Sequence, residues 1–146
     1  MAVDRHAEVT WNGGLMDGSG RIDSTGSGAF SGLDVTWASR SEPDESGRTS
    51  PEELIAAAHA TCFSMALSFG LANAGTPPDE LHTSATVSFQ PGEGITKIAL
   101  AVEGRVPGLD QDGFQAAAEG AKANCPVSKA LAGVPEIMLD ARLAAS

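Results

Sequence analysis

The chain has 146 residues, and this length favours one domain over residues 1–146 with a single hydrophobic core. Nine basic residues against nineteen acidic ones give a net charge of −10, which disfavours binding to nucleic acid or to an anionic membrane surface. The first residues do not resemble a secretory signal, and two cysteines are too few for a disulfide-stabilised secreted scaffold. We therefore expect an acidic globular protein of the cytoplasm.

The first third of the chain predicts an antiparallel meander of three strands. Gly13-Gly14 ends the first strand, and Asp17-Gly18 marks a tight turn before the second. The polar segment at residues 39–49 contains proline and glycine and predicts a surface loop. The apolar residues that define the three strands are Ala7, Val9 and Trp11, then Ile22, then Leu33, Val35 and Trp37.

A long helix is predicted to begin after Ser50, with Ser50 as N-cap, Pro51 at the first helical position and Glu53 closing a capping box. Residues 54–72 carry almost no charge, and Gly75 is the predicted C-cap. This stretch approaches the length of a membrane span, but its many small residues suit close packing, so we interpret it as a central buried helix. One chain of this size has few elements to cover such a helix, so we expect a homodimer in which two of them pack together.

The second half of the chain predicts a hairpin, two helices and a final strand. Alternating apolar residues flank a turn at residues 90–94, and Asp110 caps a second helix. Pro126 opens a short helical turn, and the last strand lies around Ile137 and Leu139. The predicted order is βββ–α–ββ–α–α–β, an α+β fold with a mostly antiparallel sheet around the central helix.

The two cysteines are the candidate reactive groups. Cys62 lies in the most apolar part of the long helix, where a small buried hydrophobic residue is the alternative interpretation. Cys125 is predicted at the N-cap of the helix that Pro126 opens, where unpaired N–H groups favour a thiolate, although a purely structural cap is equally consistent with the sequence.

Other chemistries find weaker support in the sequence. His59 lies three residues before Cys62, as in a cysteine–histidine hydrolase, but no orienting third group or oxyanion donor accompanies the pair. The spacing of histidines and cysteines matches no metal-site signature, and no glycine-rich phosphate-binding loop is present in the sequence. We therefore expect neither a metal nor a cofactor.

Two segments that contain the cysteines carry a family resemblance. They are SPEELIAAAHATCFSMALSF at residues 50–69 and NCPVSKAL at residues 124–131. Together they resemble the OsmC/Ohr family of osmotically inducible and organic-hydroperoxide-resistance proteins, and the first resembles the OsmC branch. The resemblance implies an OsmC-like fold and an intertwined homodimer with two sites at the subunit interface.

The resemblance also implies a function and assigns roles to four residues. It implies a thiol-dependent peroxidase that reduces organic hydroperoxides to alcohols through a sulfenic acid on Cys62 and a disulfide with the resolving Cys125. Arg40 and Glu52 match the arginine and glutamate that assist in this family, with Arg48 as an alternative for the arginine. It implies a dithiol reductant, such as a lipoylated protein. A redox-sensing or small-molecule-binding stress protein without efficient turnover is the alternative function.

Helix geometry adds one expectation about the assisting pair. Glu52 and Cys62 are ten residues apart in the predicted helix, which corresponds to about 15 Å along its axis. One arginine would be badly stretched if it served both residues in the same chain. We therefore predict that the Arg40 and Glu52 serving a given Cys62 come from the partner subunit, with the two long helices antiparallel.

Overall fold

The computed structural model describes residues 1–43 and 46–145. The predicted order of elements is confirmed, with one short helix added before the long one. The elements are β1 (Ala7–Asn12), β2 (Ser19–Thr25), β3 (Leu33–Val35), α1 (Trp37–Ser41), α2 (Pro51–Asn73), β4 (Glu80–Gln90), β5 (Gly94–Arg105), α3 (Gln111–Asn124), α4 (Pro126–Ala130) and β6 (Glu136–Leu143).

The chain divides into two compact units, Met1–Leu54 and Ile55–Ser146, and the boundary falls within α2. The first unit contains the predicted antiparallel meander, in the order β1-β2-β3. Every residue of β1 is exposed in the single chain, whereas Ile22 of β2 is buried. The single domain over residues 1–146 stays a prediction.

The predicted third strand is wrong at its end, because Trp37 begins α1. The Thr36 hydroxyl accepts a hydrogen bond from the Ser39 N–H (3.1 Å), and the Ser39 hydroxyl accepts one from the Thr36 N–H (2.9 Å). This reciprocal capping box outweighs the apolar alternation that placed Trp37 in a strand. The predicted loop at residues 39–49 therefore begins only after α1, and its Asp44 and Glu45 lie outside the described residues.

The second unit contains a three-stranded sheet in the order β4-β5-β6. β4 and β5 form the predicted antiparallel hairpin, with Glu80 opposite Arg105 and Gln90 opposite Gly94. β6 runs parallel to β5, because α3 and α4 carry the chain back along the sheet before β6 begins. The prediction of a mostly antiparallel fold holds, with this one parallel pair.

The core of the second unit lies between this sheet and the helices α2 and α3. The Asp110 carboxylate accepts a hydrogen bond from the Gly113 N–H (2.8 Å), which confirms the predicted cap of α3. Gly104 of β5 lets α3 approach closely, since a Cβ there would lie 2.5 Å from the ring of Phe114. The buried core residues are Phe63, Leu67, Leu71, Ile98, Leu100, Val102, Val106, Phe114, Ala118, Ala121, Cys125 and Ala141.

The ends of α2 follow the sequence closely. The Ser50 hydroxyl accepts a hydrogen bond from the Glu53 N–H (3.1 Å), which confirms the N-cap, while the Glu53 carboxylate accepts one from the Thr49 hydroxyl (2.9 Å). Gly75 has a φ of +89°, and the Thr76 N–H donates to the Leu71 carbonyl (2.9 Å), so the helix ends in a left-handed cap as predicted.

The burial of α2 is one-sided in the single chain. Within the second unit its buried side chains recur every four residues, at His59, Phe63, Leu67 and Leu71. The opposite face exposes large apolar groups, among them Met65 and Phe69 at 69% each. By length and composition α2 could cross a membrane, a test that core helices of soluble proteins also pass. Its packing in the core of the second unit supports the interpretation as a core helix.

Candidate active site

The first unit contains a guanidinium–carboxylate pair whose carboxylate is buried. Arg40, in the last turn of α1, faces Glu52, in the first turn of α2. Arg40 Nε lies 2.9 Å from Oε1 and 3.3 Å from Oε2 of Glu52, and Nη2 lies 3.1 Å from Oε2. The Glu52 side chain is only 7% exposed, and the Arg40 side chain is 35% exposed. Such a two-pronged pair fixes the orientation of the guanidinium plane.

This pairing bears on the choice between Arg40 and Arg48. The Ser39 hydroxyl donates to the Thr49 carbonyl (2.8 Å), which connects α1 to the residue just before the N-cap of α2. That contact helps bring Arg40 to Glu52. Arg48 is exposed and lines a different pocket of the first unit, with Asp34 among its neighbours there. The geometry favours Arg40 as the arginine that Glu52 orients.

An apolar pocket of about 280 Å³ lies beside Arg40 in the first unit. Its walls come from the three strands, from α1 and from the first residues of α2. Arg40 is the charged residue in a lining that is otherwise mostly apolar, an arrangement suited to a small apolar molecule with one polar end. The larger apolar side chains of the lining are Val9, Trp11, Leu15, Ile22, Val35, Trp37 and Leu54.

The second unit brings the two cysteines together. Cys62 of α2 is partly exposed, Cys125 at the N-cap of α4 is completely buried, and both are free thiols. The two side chains lie close enough to hydrogen-bond, and each influences the ionisation of the other. The predicted N-cap position of Cys125 is confirmed. Its side chain makes no cap hydrogen bond of regular geometry, but donors of α4 approach its sulfur.

The surroundings of the two sulfurs favour ionisation of Cys125 over ionisation of Cys62. Burial raises the pKa of the Cys62 thiol above its ordinary value, and the neighbouring Cys125 raises it further, against a weaker stabilisation by the Val127 N–H. Burial also opposes ionisation of Cys125, but the Cys62 thiol, the Ser128 N–H and hydroxyl and the Val127 N–H outweigh burial and lower the pKa of Cys125. Within this unit, therefore, Cys125 ionises more readily than Cys62.

His59 has a partner that the sequence did not predict. Its ring is completely buried, and its Nε2 lies 2.7 Å from the hydroxyl of Ser128, sixty-nine residues further along the chain. Burial lowers the pKa of His59, so the ring is neutral at pH 7. Since Nε2 is bonded to Ser128, His59 does not act as a base on Cys62 through that nitrogen, which weakens the hydrolase interpretation.

Sequence reasoning missed Ser128 and Val127 as members of the thiol site. A signal for Ser128 was available, because it follows the N-cap Cys125 by three residues, the spacing at which a helix side chain reaches back to its cap. Within residues 1–43 and 46–145, no cluster of three or more His, Cys, Asp or Glu side chains could hold a metal ion.

A partly exposed thiol beside a buried one, in an α+β protein that also has an arginine bonded to a buried glutamate, defines a class of paired-thiol proteins. A family model described as OsmC-like protein matches residues 43–140. The peroxiredoxin OsmC of Escherichia coli (strain K12) is 42% identical over 146 residues, which cover 98% of this chain and 99% of that protein. The same values hold for the peroxiredoxin OsmC of Shigella flexneri. The chain therefore belongs to the OsmC family.

Solved structures agree with this assignment. The organic hydroperoxide resistance protein of Elizabethkingia anophelis superposes with a TM-score of 0.67 over the whole of both chains at 22% identity, which shows a shared fold. The organic hydroperoxide resistance protein OhrB of Bacillus subtilis has a TM-score of 0.61 at 25% identity, covering 95% of this chain and 98% of its own.

Proposed function

We propose that this protein is a thiol-dependent peroxidase that reduces organic hydroperoxides, with Cys62 as the attacking thiol and Cys125 as the resolving thiol. The observation that carries the proposal is the asymmetric thiol pair. Cys62 is the sulfur that solvent reaches, whereas Cys125 is completely buried beside it. A hydroperoxide can approach Cys62 from outside, and the sulfenic acid that forms there has a second thiol next to it.

The proposed cycle has three steps. The Cys62 thiolate attacks the outer oxygen of the hydroperoxide, the O–O bond breaks, and the alkoxide leaves with a proton as the alcohol. The Cys125 sulfur then attacks the sulfenic sulfur of Cys62, and the hydroxyl leaves with a proton as water. An external dithiol reduces the resulting disulfide, and a lipoylated protein of the cytoplasm is our candidate for it.

The first step requires a cation near Cys62, because burial and Cys125 together raise the pKa of this thiol. A guanidinium about 4 Å from the sulfur contributes roughly 4 kcal/mol at an effective dielectric near 20. In our proposal Arg40, oriented by Glu52, supplies that charge and also stabilises the departing peroxide oxygen. The ten-residue spacing of Glu52 and Cys62 in α2 leads us to assign this Arg40 to the partner subunit of a homodimer.

The exposed face of α2 supports the homodimer. No Asp, Glu, Lys or Arg occurs from Leu54 to Pro78, and the face includes Met65 and Phe69 with most of their surface in water. Monomers rarely leave a long uncharged helix face of this kind uncovered. A second copy of the chain offers the same uncharged surface, so two copies of α2 can cover one another about a twofold axis.

The apolar pocket beside Arg40 supports an organic substrate. Trp11, Trp37 and Leu54 contribute surface that a hydrocarbon group can bury, at about 25 cal/mol for each Å² removed from water. Hydrogen peroxide has no such group. We therefore assign alkyl and aryl hydroperoxides as the preferred substrate class.

Thiol counting with cumene hydroperoxide tests the proposal. One equivalent per chain should consume both thiols of the wild type. Cys125→Ser should consume one equivalent and leave a sulfenic acid that dimedone traps, whereas Cys62→Ser should consume none at a comparable rate. Equal first-turnover rates in Cys62→Ser and wild type would overturn the assignment. Oxidation of both thiols without repeated turnover in excess dithiol would instead indicate a redox sensor.

A further inference from the structure

A buried hydrogen bond joins α2 to α4, the helix that begins at the resolving thiol. His59 is a polar residue in an otherwise apolar buried stripe, and its ring is completely enclosed. Its Nε2 lies 2.7 Å from the Ser128 hydroxyl, which is itself only 9% exposed. Burying a polar ring among apolar side chains is costly unless it is hydrogen-bonded, so this contact fixes the rotamer of both side chains.

Ser128 connects His59 to Cys125. Cys125 is the N-cap of α4 and Ser128 is the third residue of that helix, so the serine side chain can turn back toward the cap. The N–H and the hydroxyl of Ser128 both lower the pKa of Cys125, although the Cys125 side chain makes no cap hydrogen bond of regular geometry. The Ser128 oxygen thus lies between a ring nitrogen and a sulfur, with one proton to donate.

The donor and acceptor groups of His59, Ser128 and Cys125 indicate which atom receives the hydroxyl proton. If Ser128 donates to Cys125, its oxygen accepts from His59 Nε2–H, and His59 Nδ1 is a bare acceptor. The reverse direction would put a hydrogen on Nδ1, which has no protein partner within residues 1–43 and 46–145. Buried N–H groups are left unpaired less often than buried acceptors, so the first arrangement is favoured.

The charged and titratable groups around these three residues are few. Helix α2 contributes Cys62 and His59 itself. Glu119 and Lys122 of α3 and Lys129 of α4 line a pocket that Ser128 also lines, and β6 contributes the apolar Ile137 there.

We propose that His59 is a positioning residue for the resolving thiol. Through its Nε2–H it holds the Ser128 hydroxyl in the orientation that donates to the Cys125 sulfur, and this stabilises the thiolate of Cys125 over the thiol. The inference depends on the proposed function for the reaction step that it serves. The hydrogen-bonded chain can be tested without that step.

The same donors serve Cys125 twice in the proposed cycle. In disulfide formation the Cys125 thiolate attacks the sulfenic sulfur of Cys62, the S–O bond breaks, and hydroxide leaves and takes a proton from solvent. In reduction the thiolate of an external dithiol attacks Cys62, the exposed end of the disulfide, and the S–S electron pair moves to Cys125. The second thiol of the reductant then displaces Cys62 from the mixed disulfide and leaves in the oxidised form.

Titration of Cys125 in a Cys62→Ser background tests the chain directly, by the ultraviolet absorbance of the thiolate. Ser128→Ala should raise the pKa of Cys125 by about one to two units. His59→Leu should raise the pKa of Cys125 by about half a unit. His59→Gln, whose amide N–H replaces the Nε2–H, should return this pKa to the value measured with His59 in place. In the Ser128→Ala background, His59→Leu should add nothing. Ser64→Ala, which removes a serine of α2 bonded to Thr83, is the matched control and should leave the pKa unchanged.

A raised pKa after Ser128→Ala with no change after His59→Leu would overturn the role of His59, and so would additive effects in the double variant. If His59→Leu does not fold, His59→Asn takes its place, because its shorter amide does not reach Ser128.

Single-turnover kinetics of Ser128→Ala with Cys62 intact provide the second readout. Disulfide formation should slow about threefold to fourfold for each unit by which the pKa of Cys125 rises. Each unit lowers the thiolate fraction of Cys125 tenfold, but the more basic thiolate is intrinsically more nucleophilic, and this offsets part of the loss in rate. Peroxide loss should not slow, because a less ionised Cys125 opposes ionisation of Cys62 less. Equal slowing of peroxide loss and of disulfide formation would overturn the proposal. A wild type that consumes no hydroperoxide would refute the proposed function, while the titration would still decide the role of His59.

Discussion

Replacement of Arg40 by methionine separates two contributions of the guanidinium to peroxide reduction. The ordinary pKa of the thiol is 9.0, and burial raises the pKa of Cys62 above this value. A thiol with a pKa of 9 is only about 1% thiolate at pH 7, so complete ionisation can accelerate attack by about 100-fold or more. An interaction of roughly 4 kcal/mol corresponds to about three pKa units, enough to ionise most of Cys62 at pH 7.

We expect Arg40→Met to lower the second-order rate constant for cumene hydroperoxide at pH 7 by about 100-fold through ionisation alone. Loss of charge stabilisation at the departing oxygen should add roughly another tenfold. The assay is hydroperoxide consumption from about pH 6 to pH 10. The ionisation deficit should disappear at alkaline pH, where Cys62 ionises without help, and the second deficit should remain.

The variant also leaves the Glu52 carboxylate without its partner. Glu52 is 7% exposed, so this should cost about 1 to 3 kcal/mol of folding stability, less than for an enclosed pair because solvent reaches a third of Arg40. Arg40→Met combined with Glu52→Gln removes that stranded charge and controls for misfolding. Arg48→Met should retain full activity. Full activity of Arg40→Met at pH 7, or a loss confined to Arg48→Met, would refute the reasoning.

Three further predictions concern assembly and stability. Phe69→Lys places a charge on the uncharged face of α2 and should convert a dimer to monomers in light scattering; a dimer that survives unchanged would contradict the proposed interface. Gly104→Ala should lower the free energy of unfolding by about 1 to 3 kcal/mol in urea, since its Cβ meets the Phe114 ring, and an unchanged midpoint would show that α3 shifts freely. Burial lowers the pKa of His59 below its ordinary value of 6.5, so the unfolded chain binds a proton more readily than the folded chain. The free energy of unfolding should therefore decrease below about pH 6.5, by at most about 1.4 kcal/mol per pH unit, and should decrease less steeply in His59→Gln.

The order of elements could be predicted because their boundaries depend on local interactions. Ser50, Asp110 and Gly75 each cap a helix through contacts with residues at most five positions away, so the sequence nearby contains the whole signal. The prediction was wrong at Trp37, because the apolar alternation typical of a strand and a Thr–Ser capping box occur in the same few residues. The hydrogen bonds of the box decided for a helix.

The identity of the proposed reactive residues could be predicted from the sequence, but the relative acidity of the two thiols could not. Family motifs located Cys62, Cys125, Arg40 and Glu52, and the N-cap position of Cys125 already indicated which groups could stabilise a thiolate. Motifs do not say which of the two sulfurs ionises more readily. That depends on the burial of each sulfur and on donors such as the Ser128 hydroxyl, which the structure of the second unit supplies.

By itself the sequence determined most of the element types, the caps of the longer helices, the two thiols and the family, because these depend on short-range pattern and on motif identity. Tertiary structure alone decided that β6 lies parallel to β5, that only one face of α2 is buried, and that His59 reaches Ser128 across sixty-nine residues. Those outcomes depend on which surfaces pack together, since burial and hydrogen bonding between distant segments are properties of the folded chain and have no local signal.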